Sequence, residues 1–275
     1  MTNIFNYIDR KSPVHELTGA TKLVCLILWS FAAMITYDTR ILIALPIISF
    51  IMFGMSKIKL KDVSFMIWFT VVFMVLNNVL VFLFSPMHGV ELYGSYHEIC
   101  HLWGAQYLTT EQLWYHFNLV LKYFSMIPIV LLFVSTTQPS EFAASLNKIG
   151  ISYKIAYAVA LALRYIPDIQ REYNNISQAQ QARGIEMSKK QSIGKRLKSA
   201  SAIIIPLILL SMDRIDTISN AMELRGFGKN KKRTWYMGNK FKAFDIISMV
   251  FCAALLILSI TMNIVNGSRF WFPFV

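Results

Sequence analysis

Charged residues are scarce in this chain of 275 residues. Only 15% of the residues are Asp, Glu, Lys or Arg, whereas 55% are hydrophobic and the mean hydropathy is +0.48. A soluble domain of this size usually carries about 25% charged residues. The scarcity of charge therefore argues against a soluble protein and predicts several membrane spans.

Cysteine is also scarce, and Cys25, Cys100 and Cys252 lie far apart with none in a C-x-x-C pair. Such spacing supports neither a disulfide framework nor a zinc ribbon. The sequence lacks the G-x-x-x-x-G-K-[ST] loop with which P-loop ATPases bind phosphate. We therefore expect a chain that does not hydrolyse ATP itself.

Five stretches are apolar enough to be membrane spans, each of which needs about 20 mostly apolar residues. The first two are short and are separated only by Asp38, Thr39 and Arg40, which predicts a tight hairpin. The predicted spans are 23–37, 41–55, 63–84, 117–134 and 243–265. The expected fold class is all-α, with about five transmembrane helices.

The distribution of basic residues predicts the orientation of these spans. The segment 136–242 holds 18 of the 27 Lys and Arg residues, and the loop 85–116 holds none. Because Lys and Arg are retained on the cytoplasmic side, we expect 136–242 and the N-terminus in the cytoplasm. The loop 85–116 and the C-terminus are then outside, in a multi-pass membrane protein.

The segment 136–242 contains two further apolar runs, 155–163 and 201–212, which are too short to cross a membrane. If both crossed, the loop between them would lie outside, although it carries five basic residues, against the positive-inside rule. These residues are Lys189, Lys190, Lys195, Arg196 and Lys198. We therefore expect both runs to belong to long helices on the cytoplasmic side.

The expected helices of this segment are about 140–148, starting after Pro139, and two long ones at about 154–183 and 198–225. Pro167 predicts a kink or break in the first long helix. The chain thus divides into a membrane part, 1–135, a cytoplasmic module, 136–242, and a last span with the C-terminus, 243–275.

Both long helices are predicted to end in Arg followed by Gly, at Arg183–Gly184 and Arg225–Gly226. Glycine suits a left-handed helix cap. An arginine in a last turn interacts favourably with the helix dipole, and its planar guanidinium can also bind a partner's carboxylate through two hydrogen bonds. Two such endings in one segment favour the second interpretation.

Several strings in this part of the chain occur together in one family. They are Thr-Thr-Gln-Pro-Ser-Glu at 136–141, Leu-Arg-Tyr-Ile-Pro at 163–167 followed by Glu172, Gln-Ala-Gln-Gln-Ala-Arg-Gly at 178–184, and Ala-Met-Glu-Leu-Arg-Gly-Phe at 221–227. In order and spacing they resemble the T components of energy-coupling-factor transporters, the EcfT/CbiQ family. The resemblance covers most of 22–235.

The resemblance implies a membrane part and a cytoplasmic module of crossed amphipathic coupling helices. Each Ala-Arg-Gly-like motif would dock in a groove on one of two ABC ATPase subunits, alike or different, while the apolar helix faces hold a substrate-binding S component. The docking residues would be Ala182, Arg183, Gly184, Leu224, Arg225 and Gly226. The supporting residues would be Pro139, Arg164, Pro167, Glu172 and Glu223. Leu224 stands where the family commonly has Ala.

The resemblance also implies a subunit of a bacterial or archaeal cell membrane that is not an enzyme and carries no cofactor. Its role would be energy coupling for the uptake of a vitamin, a vitamin precursor or a transition-metal ion such as cobalt. The S component selects this cargo, and it is a separate chain. The sequence leaves open both the cargo and whether one or several S components are served.

Three other interpretations of particular residues stay open. Asp213 and Asp216 share a helix face and could hold Mg²⁺ in a membrane-embedded transferase, although surface carboxylates are the simpler account. His97 and His101, at i and i+4 and with His88 nearby, could hold a metal on one helical turn, but we expect a solvated loop. The basic stretch 229–233 is better explained by lipid head groups than by nucleic acid.

The orientation can be tested by labelling single introduced cysteines in intact cells. We expect an impermeant thiol reagent to reach a cysteine at Glu98, in the loop without Lys or Arg, and to miss one at Lys195. Labelling at Lys195 would contradict a cytoplasmic position for the two long helices.

Overall fold

The computed structural model describes residues 12–103, 106–185, 193–230, 235 and 241–273. The chain forms two compact units. We call Met1–Gln138 with Asn239–Val275 the membrane unit and Pro139–Gly238 the inserted unit, because the second interrupts the first in sequence. The unit boundaries lie three and four residues from the divisions at 135/136 and 242/243 that the sequence suggested.

The predicted all-α membrane fold is confirmed, with the addition of one small β-hairpin. The helices are α1 (Pro13–Glu16), α2 (Gly19–Ile35), α3 (Thr39–Met55), α4 (Leu60–Phe84), α5 (His88–Tyr93), α6 (Thr110–Thr136), α7 (Pro139–Lys148), α8 (Tyr153–Ala182), α9 (Ile193–Leu224) and α10 (Ala243–Val265). The antiparallel strands are β1 (Glu98–Trp103) and β2 (Gln106–Thr109).

Among the described residues, α4, α6 and α10 are long and apolar enough to cross a membrane, and α2 and α3 are shorter apolar helices of 17 residues each. The chain is thus a multi-pass membrane protein. The turn between α2 and α3 lies at 36–38, two residues earlier than predicted. Asp38 caps α3, since its carboxylate accepts the backbone N–H of Arg40 at 3.0 Å.

The α2–α3 turn is closed by a polar cluster around Asp38. Arg40 Nη2 and Asn266 Nδ2 donate to Asp38 Oδ2 at 2.9 and 2.8 Å. Burial acts to raise the pKa of this carboxyl, but hydrogen bonds from Arg40 and Asn266 outweigh it, so its pKa lies below its ordinary value. The carboxylate therefore stays ionised and ties the C-terminal residues to the turn.

Helices α2 and α10 lie parallel and side by side, and paired residues keep a constant offset in sequence number. At their first turns, the backbone N–H of Thr18 donates to Asp245 Oδ1 at 2.8 Å. Near their other ends, Thr36 Oγ1 donates to Asn263 Oδ1 at 3.2 Å. Both pairs are 227 positions apart, so the two helices keep the same offset along their whole length.

The start of α2 is hydrogen-bonded to the residues next to both connections between the membrane unit and the inserted unit. The buried Lys22 Nζ donates to the backbone oxygen of Thr136, the last residue of α6, at 2.9 Å. Asp245, which accepts from Thr18, also accepts the N–H of Lys242 just before α10, at 2.8 Å. Both connections to the inserted unit are therefore fixed beside one another.

His97 and His101 do not share a helical turn, so the spacing that could have held a metal is not realised, and the expected loop contains a β-hairpin. His101 lies in strand β1, with its ring centroid 4.6 Å from that of Tyr107 in β2. His97 Nδ1 lies 2.6 Å from Oε1 of the buried Glu111, and His88 packs edge-on against Tyr115. The described residues contain no group of three or more His, Cys, Asp or Glu that could hold a metal ion.

In the inserted unit, the three helices lie close to the expected ranges. Helix α9 begins at Ile193 rather than at about 198, so the residues before Lys198 form its first turns. The structure shows no break at Pro167, because α8 runs through it as a single helix of 30 residues, and a kink there stays a prediction. Proline removes one backbone donor and crowds the carbonyl four residues earlier, and the helix continues despite both effects. Lys189, Lys190 and most of the basic stretch 229–233 lie outside the described residues.

We expect Asp245→Ala to lower the free energy of unfolding by about 2–3 kcal/mol, because it leaves the backbone N–H groups of Thr18 and Lys242 without their acceptor. The measurement is denaturant unfolding of the purified chain in detergent. Asp62→Ala removes an exposed carboxylate from the first turn of α4 and should cost less. Equal losses in the two variants would contradict the bridging role of Asp245.

Candidate coupling site

Helices α8 and α9 form an antiparallel pair that is held at three levels. Near the end of α8, Gln180 Nε2 donates to the backbone oxygen of Ala202 at 3.1 Å. In the middle, Glu172 pairs with Arg214. Near the start of α8, the ring centroids of Tyr157 and Phe227 lie 4.9 Å apart. From Tyr157 to Gln180 the helical rise corresponds to about 35 Å.

The Glu172–Arg214 ion pair is the polar link at the middle of this helix pair. The side chain of Glu172 is 15% exposed and that of Arg214 is 34% exposed. The guanidinium also lies 5.6 Å from the ring centroid of Tyr165, which precedes Glu172 by about two turns of α8. The ion pair is shielded enough from water to fix the register of α8 against α9.

A largely apolar groove of about 340 Å³ runs between the same two helices. Small residues of both helices line it together with larger apolar ones, and Arg214 lies at its wall. Representative lining residues are Ala158, Ala162, Tyr165, Ile215, Ser219 and Met222. The small side chains leave room in the groove for side chains of another molecule.

The two Arg-Gly endings have one backbone geometry. Gly184 and Gly226 adopt φ of +82° and +66°. After α8, the N–H of Ile185 donates to the oxygen of Gln180 at 3.0 Å, and after α9 the N–H of Phe227 donates to that of Met222 at 2.9 Å. This pattern is the Schellman motif, whose left-handed residue favours glycine. The predicted left-handed caps are thus present.

This helix-end geometry alone does not mark a binding site. Helix α7 ends the same way, with Gly150 at φ +105° and the N–H of Ile151 donating to the oxygen of Leu146 at 3.1 Å. In α8 and α9 the residue before this glycine is an arginine, whereas after α7 the corresponding residue is Ile149. The arginines, and not the caps, are therefore the candidate functional groups.

Both arginines lie at exposed helix ends. Ala182, Arg183 and Gly184 are all exposed, and so is Arg225. Leu224, beside Arg225, is 89% exposed. Because α8 and α9 are antiparallel, the two motifs lie at opposite ends of the pair.

The remaining predicted residues divide into structural and exposed ones. Pro139 is the first residue of α7, where its missing N–H costs no hydrogen bond. Arg164, Pro167 and Glu223 are exposed on α8 and α9. Glu172 contacts the opposite helix through its ion pair with Arg214. Among the described residues, no side-chain hydrogen bond or ion pair joins Arg164 or Glu223 to the opposite helix.

The transferase alternative gains no support from the geometry. Asp213 and Asp216 are both exposed on α9. Sequence reasoning missed Arg214 as the partner of Glu172. Arg214 lies between Asp213 and Asp216, just after the apolar run 201–212, and this local pattern gives no signal of a partner on another helix.

Comparison with known proteins places the chain in a family. A family model described as "Cobalt transport protein", CbiQ, matches residues 10–236. The chain belongs to the CbiQ family. The resemblance that the motifs predicted is confirmed, and the match includes the whole of α2 to α9.

Curated relatives cover nearly the whole chain. "Energy-coupling factor transporter transmembrane protein EcfT" of Staphylococcus aureus (strain 04-02981) is 26% identical over an alignment of 265 positions that covers 93% of this chain and 94% of that protein. Proteins of the same name from Lactococcus lactis subsp. cremoris (strain MG1363) and Thermotoga maritima are 27% and 25% identical, over 92% and 93% of this chain and 95% and 92% of theirs.

We expect Arg214→Ala to lower the free energy of unfolding by about 1–2 kcal/mol, between the values typical of exposed and buried ion pairs, because it strands the mostly buried Glu172. Arg171→Ala is the matched control, since Arg171 pairs with Asp168 at 3.7 Å on the exposed side of α8. In a double-mutant cycle, Glu172→Ala should add little to Arg214→Ala. Full additivity would contradict a direct interaction.

Proposed function

We propose that this chain is the T component of an energy-coupling-factor transporter, a non-catalytic membrane subunit that transmits ATP-driven motion to a substrate-binding S component. The observation that carries the proposal is the pair of exposed arginines, Arg183 and Arg225, at opposite ends of one antiparallel helix pair. The name of the curated relatives supports the same assignment.

The separation of the two motifs favours two partner subunits. A distance of about 35 Å along the helix pair is too long for one small groove to bind both arginines. Each arginine would instead bind a carboxylate in a groove of one ABC ATPase subunit. The exposed Leu224 would add an apolar contact at the second groove, where the family more often places alanine.

The helix pair itself would carry the motion between these grooves and the S component. The Glu172–Arg214 pair and the Gln180 contact hold α8 and α9 in register, so a displacement at one end moves both helices together. The apolar groove of about 340 Å³ would hold apolar side chains of the S component. The cargo, a vitamin, a vitamin precursor or a transition-metal ion, is selected by that component.

The proposed placement follows the charges of the sequence. The inserted unit and the N-terminus lie in the cytoplasm, where the ATPases bind, and the loop with the β1–β2 hairpin lies outside. The last span is α10, which runs parallel to α2 and therefore crosses in the same direction.

We expect Arg183→Ala and Arg225→Ala each to weaken substrate uptake, and the double substitution to abolish nearly all of it. Each change would strand a partly desolvated carboxylate on an ATPase subunit, at a cost to association of about 2–5 kcal/mol per site. Lysine at either position should restore uptake only in part, because it lacks the bidentate guanidinium. Uptake is measured in cells, with ATPases and S component pulled down from the same membranes.

Arg171→Ala is the control, since Arg171 is exposed on α8 away from the helix end. The double variant should still insert and still retain its S component, whose contact uses the apolar groove. Normal uptake with both arginines replaced would remove them from the mechanism. Loss of the S component together with the ATPases would indicate misfolding instead.

A further inference from the structure

Two of the three cysteines share one cavity of the membrane unit. Cys25 of α2 and Cys252 of α10 line an apolar cavity of about 310 Å³, together with residues of α3 and α6 such as Met52 and Ile129. Both thiols are reduced, and Cys252 is 2% exposed. The third cysteine, Cys100, is exposed in strand β1.

The register of α2 and α10 brings the two thiols together. Cys25 and Cys252 have the same offset of 227 positions as the two hydrogen-bonded pairs, Thr18 with Asp245 and Thr36 with Asn263. One of these pairs lies on each side of the cysteines along the helices. The two cysteines also pack in the same apolar cluster around Trp29.

This juxtaposition favours a disulfide. Two cysteines can be joined without backbone movement only if their Cβ atoms face each other at close range. Here two packed helices present the thiols to each other at one level, and hydrogen bonds above and below hold the helices in place. The bond would therefore form between groups that are already in position.

We propose that Cys25 and Cys252 are a redox-sensitive pair that a hydroperoxide converts to a disulfide between the first and last spans. One thiol attacks the hydroperoxide, giving a sulfenic acid and an alcohol, and the second thiol displaces water from the sulfenic acid to form the S–S bond. Two thiols are oxidised and the peroxide O–O bond is reduced. Disulfides of this kind in reducing compartments are usually transient.

The cavity determines which oxidants reach the pair. Its lining is almost wholly apolar, so small neutral molecules dissolved in the bilayer can enter, whereas ions are excluded by the cost of losing their hydration. A membrane-soluble organic hydroperoxide is therefore the probe of choice. A charged thiol reagent should react with the exposed Cys100 first.

The experiment treats membranes containing the full chain with cumene hydroperoxide, followed by digestion without reductant and mass spectrometry. The expected result is a linked peptide pair containing Cys25 and Cys252, two hydrogen atoms lighter than its parts and separated by dithiothreitol. Cys25→Ser and Cys252→Ser should each abolish the link, and Cys100→Ser should leave it unchanged. Recovery of both thiols in the free form, or links to Cys100 instead, would overturn the proposal.

A stability measurement tests whether the helices are already in place. The oxidised chain should unfold at a higher temperature than the reduced chain, since a cross-link between distant residues restricts the unfolded state. The shift should be absent from both single serine variants. A lower unfolding temperature after oxidation would mean that the bond distorts the helix pair, and would overturn the inferred geometry.

Discussion

The pairing of α2 with α10 is the constraint on which the membrane unit depends. It joins the first and last apolar helices of the chain, and polar contacts hold it at both ends, through Asp245 at one and Asn263 at the other. Inside a membrane such contacts are demanding, because a polar group without a partner costs several kcal/mol. The fixed register that results places Cys25 against Cys252 and gathers both connections to the inserted unit at the start of α2.

In the inserted unit, one helix pair combines rigidity with exposed ends. Its interior contacts, above all Glu172 with Arg214, join α8 to α9 over most of their length. Its two exposed tips each present an arginine before a left-handed glycine. A stiff element with a charged group at either tip is suited to pass movement from one protein to another, and this physical property connects the geometry to the proposed coupling role.

The sequence predicted features that depend on local patterns. Apolar runs identified the helices of the membrane unit, and Gly184 and Gly226 identified the ends of α8 and α9, because span length and helix capping are set by neighbouring residues. It did not predict the strand at His101, the continuity of α8 through Pro167, or the pairing of Glu172 with Arg214. The ion pair joins residues 42 positions apart, and no period or spacing in the sequence records it. The strand at His101 pairs locally with Tyr107, but neither residue belongs to an apolar run or a capping motif that would identify the hairpin. The positions of Arg183 and Arg225 at opposite ends required the antiparallel arrangement as well.

The closeness of the two chain connections at Thr18–Lys22 has a consequence for the architecture. Lys22 holds the end of α6, and Asp245 holds the start of α10 to the same turn, so the membrane unit is spatially continuous although its sequence is not. A segment whose two ends leave a fold side by side can be lengthened, shortened or exchanged without disturbing the fold that carries it. The membrane unit would therefore accept a short linker in place of the inserted unit, which at about 100 residues is the size of a small domain.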